Sequence, residues 1–162
     1  MRADLALGLW VKLARAFAVF NHRTAEHIRS FGLTQAQFGA LECIGHMGPL
    51  TLGALCRKRL VSGGNMTVVV DNLEREGLVE RVRSTKDRRT IVVRLTSKGT
   101  ALFNRIFRPH AEYIASLAGA LTEREQTQLS SLLKKLGCAI SEGGPPAAAL
   151  RHGATGVARE TR

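Results

Sequence analysis

Between positions 51 and 98 the sequence sets eleven Lys or Arg residues (57, 58, 59, 75, 81, 83, 86, 88, 89, 94 and 98) against five acids (71, 74, 76, 80 and 87). Such a local positive excess draws a polyanion. The same segment carries groups able to read base edges. On a helix turning about 100° per residue, Gly64, Thr67, Val68, Asp71, Asn72 and Arg75 share one face. Asn72 has the amide that pairs with an adenine edge, Thr67 can bond a base or touch a thymine methyl, and Val68 offers apolar contact. Asp71 either accepts from cytosine or restrains Arg75. Ser62, Gly63 and Gly64 put small residues where that helix would begin. Free N–H groups there can meet a phosphate with no side chain between, or the glycines simply make a pliable helix start. Further on, Lys86, Arg88 and Arg89 crowd a short polar run suited to phosphates or a narrow minor groove. Asp87 in their midst shapes the turn or holds an arginine.

Other chemistries lack their residues. There is no Gly-rich phosphate loop, no metal-ligand spacing and no nucleophile elbow, and the carboxylates are scattered, so neither catalysis nor a metal or other cofactor is expected. Cys43, Cys56 and Cys138 form no Cys-x-x-Cys pair and suit a reducing compartment rather than a disulfide framework. Cys43 reads as a small core thiol. Cys56, followed by Arg57, Lys58 and Arg59, is the candidate for a redox-responsive thiol. His22, His27 and His46 belong to no ligand cluster. Overall the 162 residues hold 24 Lys and Arg against 13 Asp and Glu, a formal charge of +11, with 44% hydrophobic and 23% charged residues. These proportions describe one globular domain with a short appendage and an anionic partner. The apolar run from Leu5 to Val11 is too short to span a bilayer, and the protein reads as cytoplasmic.

The elements that must position these groups follow from periodicity and punctuation. Residues 3–31 read as one helix with Leu5, Leu9, Leu13, Phe17 and Phe20 on a stripe that needs a partner surface, ended by Gly32. Thr34 with Gln37 forms a capping box for a second helix that turns Phe38, Leu41 and Ile44 inward. Thr51 caps a short helix over Leu52 to Arg59, and a fourth runs from Ser62 to Glu76 with Met66, Val69, Val70 and Leu73 inward and Gly77 as terminator. These two short helices make a helix-turn-helix whose second member can enter a major groove. The period then changes to two. Val79 to Arg83 and Thr90 to Leu95 read as strands, joined by a hairpin tip over Ser84 to Arg89 that forms a basic wing. Thr96 opens another long helix, which Pro109 is expected to kink or interrupt. A second capping box, Thr122 to Glu125, opens a last helix with Leu129, Leu132, Leu133 and Leu136 on one side. The Gly-, Ala- and Pro-rich residues 141–162 are expected to be mobile. The expected architecture is therefore mainly α with a small β-hairpin wing. A winged helix-turn-helix DNA-binding domain over 34–96 is flanked by helical regions at 1–33 and 97–140.

Taken together, Gly48-Pro49-Leu50-Thr51-Leu52, Leu60-Val61-Ser62-Gly63-Gly64-Asn65-Met66-Thr67, Val70-Asp71-Asn72-Leu73-Glu74-Arg75-Glu76-Gly77-Leu78-Val79, Asp87-Arg88-Arg89 and Val93-Arg94-Leu95-Thr96-Ser97-Lys98-Gly99 resemble the MarR (multiple antibiotic resistance regulator) family over about residues 5–138. The resemblance implies a homodimer built by the first helix and the last two, binding double-stranded DNA at a roughly palindromic operator and acting as a repressor. It implies that Ser62 to Asn72, Asn65 included, form the recognition helix and that Arg89 lies in or near the minor groove. Half-sites would then be about 10 base pairs apart, centre to centre. It also implies a small organic effector held between the dimer helices and the winged domain. Trp10, Phe17, Phe20 and Phe38 either line such a cavity or serve ordinary core and dimer packing. Two departures stand out: the position after Thr67, often basic in the family, is Val68, and the first helix lacks the cysteine by which some members sense peroxides. A sequence-indifferent architectural nucleic-acid-binding protein, or a regulator responding through Cys56, are the alternative readings.

Overall fold

The computed structural model describes residues 2–59, 63–84, 87 and 89–141. The chain order is α1 (Arg2–Arg29), α2 (Gln35–Met47), α3 (Leu52–Arg59), α4 (Gly63–Arg75), β1 (Val79–Arg83), β2 (Ile91–Leu95), α5 (Ser97–Ala118) and α6 (Glu123–Ser141). β1 and β2 form a two-stranded antiparallel sheet, so the expected helices and wing are all present. The tail beyond Ser141 lies outside the described residues.

The local signals set the helix ends. At α2 the Thr34 hydroxyl accepts from Gln37 N–H at 3.2 Å while Thr34 N–H donates to Gln37 Oε1 at 2.9 Å, the reciprocal box the sequence called for. Gln37 then uses its amide nitrogen to reach Glu76 Oε1 at 3.1 Å, tying the start of α2 to the end of α4. Thr51 Oγ1 accepts from Ala54 N–H at 3.2 Å and opens α3. α4 stops in a Schellman turn: Leu78 N–H reaches Leu73 O and Gly77 N–H reaches Glu74 O, both at 2.9 Å, with Gly77 at φ 69°. A side chain at position 77 would be strained in that left-handed conformation, which is why glycine ends the helix.

The described residues fall into two units, divided after Leu117. The core of the first is built by Phe38, Leu41 and Ile44 of α2, Leu55 of α3, Met66, Val69, Val70 and Leu73 of α4, and Val79 and Val93 of the hairpin. Ile28 near the end of α1 and Ile106 of α5 close it. The register pairs Val79 with Leu95 and Arg83 with Ile91. The second strand begins one residue later than expected because Thr90 belongs to the turn: its N–H donates to Asp87 O at 2.9 Å and its hydroxyl to Asp87 Oδ2 at 2.8 Å. An additional pairing joins Leu50, between α2 and α3, to Val93 through two backbone bonds of 3.0 and 2.8 Å.

α5 continues as one helix through Pro109, so the expected interruption does not occur there. The ring removes the bond that would reach the Arg105 carbonyl. Ile106 and His110 on either side are buried, and Phe107 and Phe103 set their rings edge-on to His46 at 4.4 and 5.3 Å. Tertiary packing of this kind, rather than propensity, supplies most helical stability. In the second unit, the Thr122–Glu125 box opens α6: Thr122 N–H donates to Glu125 Oε2 at 2.8 Å and Glu125 N–H to Thr122 Oγ1 at 3.4 Å. No described residue of α6 is buried.

Candidate nucleic-acid interface

α4 divides as its pattern requires. Met66, Val69, Val70 and Leu73 are buried, whereas Gly64, Asn65, Val68 and Arg75 are exposed and Thr67, Asp71 and Asn72 half-buried. Val68, 57% exposed, is a β-branched apolar side chain held out towards solvent in the middle of this face. Gly63 opens the helix, while Ser62, Lys86 and Arg88 lie outside the described residues. At Gly64 an added Cβ would meet nothing within 4 Å. Gly64→Ala is therefore expected to stabilise the fold by about 0.5–1 kcal/mol through helix propensity. It is expected to weaken DNA binding by keeping the phosphate away from the helix terminus; thermal melting and a binding isotherm measure the two effects separately.

Within this face the structure pairs residues differently from the sequence expectation. Asp71 does not restrain Arg75. Arg75 Nη2 donates instead to Asn72 Oδ1 at 2.9 Å, and Asp71 Oδ1 accepts from Arg81 Nη2 at 2.6 Å. Bidentate reading of adenine would use both ends of an Asn amide, and Asn72 Oδ1 already accepts one bond from Arg75.

Arg81 is the residue that sequence reasoning missed. Its Nη1 bonds the Glu74 carboxylate, its backbone N–H donates to Glu74 Oε1 at 3.0 Å, and its Nη2 holds Asp71. Burial lowers the proton affinity of its guanidinium, but the bonds to Asp71 and Glu74 and their charges outweigh burial and raise its pKa. One side chain thus fixes strand β1, and with it the wing, to two turns of α4. The Asp71 and Glu74 partners are more than a third exposed, so screening limits the stability gained to about 1 kcal/mol. The signal was available as acids three apart on one helix face followed by an arginine inside a strand. Arg94 pairs across the sheet with Glu80 at 2.9 Å, and Lys98 Nζ donates to Glu76 O at 2.7 Å, where a cation suits a helix C-terminus. Among the described residues, Arg75, Arg81, Arg94 and Lys98 are therefore engaged internally, and the field offered to a polyanion is weaker than the number of cations implies.

At the wing Asp87 organises the tip. Its Oδ1 accepts from Arg89 N–H at 3.0 Å, its Oδ2 from the Thr90 hydroxyl, and these bonds hold its carboxyl below the usual carboxylate range. The backbone at exposed Arg89 is thereby fixed. A two-stranded basic wing beside an outward-facing helix is an arrangement for gripping duplex DNA.

The comparisons with known proteins agree. A family model described as MarR family matches residues 31–90. The HTH-type transcriptional regulator MhqR of Bacillus subtilis (strain 168) is 36% identical over 134 residues, which cover 83% of this chain and 92% of that protein. The chain belongs to the MarR family. It is a DNA-binding transcriptional regulator with the winged helix-turn-helix fold of that family. Among solved structures, a MarR family protein from Bacillus stearothermophilus superposes with a TM-score of 0.70 at 26% identity, covering 87% of this chain and 99% of the other. BpsR of Bordetella bronchiseptica, whose DNA binding is regulated by 6-hydroxynicotinic acid, gives 0.68 at 28% identity over 77% of this chain and 89% of its own.

Phe17, Phe20 and Phe38 border a cavity of about 250 Å³ together with Asn21, Glu42 and His110. Trp10 does not line it and is 64% exposed. A larger groove of about 600 Å³ is lined by Phe31, Leu33, Leu78, Lys98, Leu102 and Arg105. Cys56 is half-buried and packs against the core, as does Cys43, whereas Cys138 is exposed. Among the described residues no group of three or more His, Cys, Asp or Glu is arranged for a metal, and no helix is long and apolar enough to cross a membrane.

Proposed function

We propose that this protein is a homodimeric repressor that reads a roughly palindromic operator through two copies of α4, grips the flanking minor groove with Arg89, and releases DNA when a small organic molecule binds. The observation that carries the reading is the division of α4. Its apolar side is committed to the core, and the opposite side presents a mixed set, Gly64, Asn65, Thr67, Val68, Asn72 and Arg75, with base-reading chemistry and little net charge. Ser62, Gly63, Lys86 and Arg88 complete the proposed contacts. A protein that merely coats nucleic acid needs charge, not a face of this composition.

Pairing is supported by the apolar stripes of α1 and α6. Leu5, Leu9 and Phe17 on α1 and Leu129, Leu132 and Leu133 on α6 are exposed, and faces of that kind mark interaction surfaces. Release by an organic molecule is supported by the cavity at Phe17, Phe20 and Phe38, between a helix assigned to pairing and the winged domain. Rearrangement there changes the spacing of two rigid reading heads, to which operator affinity is sensitive.

Competition binding at fixed salt tests the reading. A duplex enriched from a random pool is expected to bind about a thousandfold more tightly than random duplex. Equal affinities would instead indicate a sequence-indifferent architectural protein. Arg89→Ala is expected to weaken binding to the enriched duplex by about 1–3 kcal/mol without changing the melting temperature, and unchanged affinity would remove the wing from the mechanism.

A further inference from the structure

One part-buried pair of titratable groups lies outside the α4 face and the wing described above. His27 of α1 and His110 of α5, 83 residues apart, bring their Nδ1 atoms to 3.2 Å. His110 is 8% exposed. The pair sits in an aromatic cage: His27 stacks on Tyr113 at 4.1 Å between ring centroids and meets Phe31 edge-on at 4.8 Å, while Phe38 of α2 packs on His110 at 4.4 Å. We propose that the His27–His110 pair is a proton-sensitive latch joining α1 to α5, closed while the two Nδ1 atoms share one proton and opened when both rings are charged.

Two facing Nδ1 atoms at this distance make one hydrogen bond only if one donates and the other accepts. A first added proton is accommodated, because the donor ring can take it on Nε2 and still donate through Nδ1. A second proton leaves two N–H groups and two positive charges pointed at each other, and the bond becomes a repulsion. On α1 the Thr24 hydroxyl is bonded to Asn21 O at 2.9 Å, and Glu26 lies within 3.3 Å of His22 and 3.6 Å of Arg23. On α2 Gln35 donates to Asn21 Oδ1 at 2.9 Å, and Glu42 is the one carboxylate among the described residues that borders the cavity beside His110. On α5 the neighbour of His27 is the phenol of Tyr113. Burial, and then the charge of His27, push the pKa of His110 down. A histidine whose pKa falls on folding contributes stability that is complete above its ordinary value and is lost as the pH drops below it. The latch therefore opens on the acid side.

The effect on DNA rests on the dimeric reading proposed above, in which α1 belongs to the scaffold that spaces the recognition helices. Opening the α1–α5 joint then disturbs that spacing, and it does so at the wall of the cavity assigned to the effector. Acid is expected to weaken operator binding. This is opposite in sign to the general effect of added positive charge, which tightens phosphate contacts.

The test is a ring-nitrogen NMR titration of the full chain from about pH 8 to about pH 5. It is paired with binding isotherms at constant ionic strength on a duplex enriched at neutral pH. The His110 ring is expected to titrate below the ordinary imidazole value, and wild-type affinity to fall about tenfold across the range. In His27→Gln the amide can donate to neutral His110 or turn to accept from the charged ring, so the fall shrinks to about twofold or less. His110→Gln, the reciprocal change, is expected to do the same and serves if the first variant folds poorly. Rings that titrate independently at the ordinary value, or variants whose affinity falls in parallel with wild type, overturn the latch. Failure to enrich any duplex at neutral pH counts against the repressor reading instead, and the ring titration then decides the latch alone.

Discussion

Leu133→Asp combined with Leu136→Asp is expected to leave the protein monomeric and to lower its operator affinity by about a hundredfold or more. Leu129, Leu132, Leu133 and Leu136 recur at helical spacing on α6 and are between 37 and 56% exposed, on a helix with no buried described residue. An amphipathic helix with an uncovered apolar stripe gains stability only from a partner surface. A carboxylate placed at the centre of that contact would lose its hydration without gaining a counter-ion. Binding by two linked reading heads makes the second contact effectively intramolecular, so a lone protomer forfeits the gain from bivalency. Sedimentation velocity reads the assembly state and a binding isotherm the affinity. A stable dimer of the double variant would refute the assigned seam.

Gly99→Ala is expected to destabilise the fold by about 3 kcal/mol, at the upper end of ordinary overpacking. An added Cβ at this position would lie 1.9 Å from the Leu78 carbonyl oxygen and 2.9 Å from its carbon. That carbonyl cannot swing aside cheaply. It accepts from Thr96 N–H at 3.1 Å, and the Thr96 hydroxyl donates to Gly77 O at 2.7 Å while accepting from Gly99 N–H at 3.0 Å. The first turn of α5 is thus clamped to the loop that ends α4, and glycine is required because backbone meets backbone. Thermal melting measures the loss, and a variant as stable as wild type would show that the two elements can separate. The contrast with Gly64→Ala, where the space is open, distinguishes a packing glycine from one whose side chain would meet no neighbour.

Sequence pattern showed most of what is local. The capping boxes at Thr34 and Thr122, the Gly77 terminator and the inward side of α4 each depend on residues a few positions apart, and each stands as read. The long-range pairings were not legible. Asp71 and Glu74 lie ten and seven residues from Arg81, but they meet it only because the hairpin folds back over α4. His27 and His110 are brought together only by the crossing of α1 with α5. Leu50 pairs with Val93 as a single residue and leaves no period to detect. Of the kink or interruption expected at Pro109, the interruption is absent for the same reason, because the packing of Ile106, Phe107 and His110 outweighs one lost hydrogen bond. At the interface, composition identified the helix and the wing but counted Arg81, Arg94 and Lys98 as available charge, although the fold uses all three internally. Of the aromatic residues assigned to the effector cavity, Phe17, Phe20 and Phe38 surround a common space, whereas Trp10 lies apart from it.

Hydroxyl-radical footprinting on an enriched duplex tests the pairing of two recognition helices most directly. Two protected patches on one face of the DNA, centred about 10 base pairs apart, are the predicted result. One isolated patch, with a single chain bound per duplex, would contradict it.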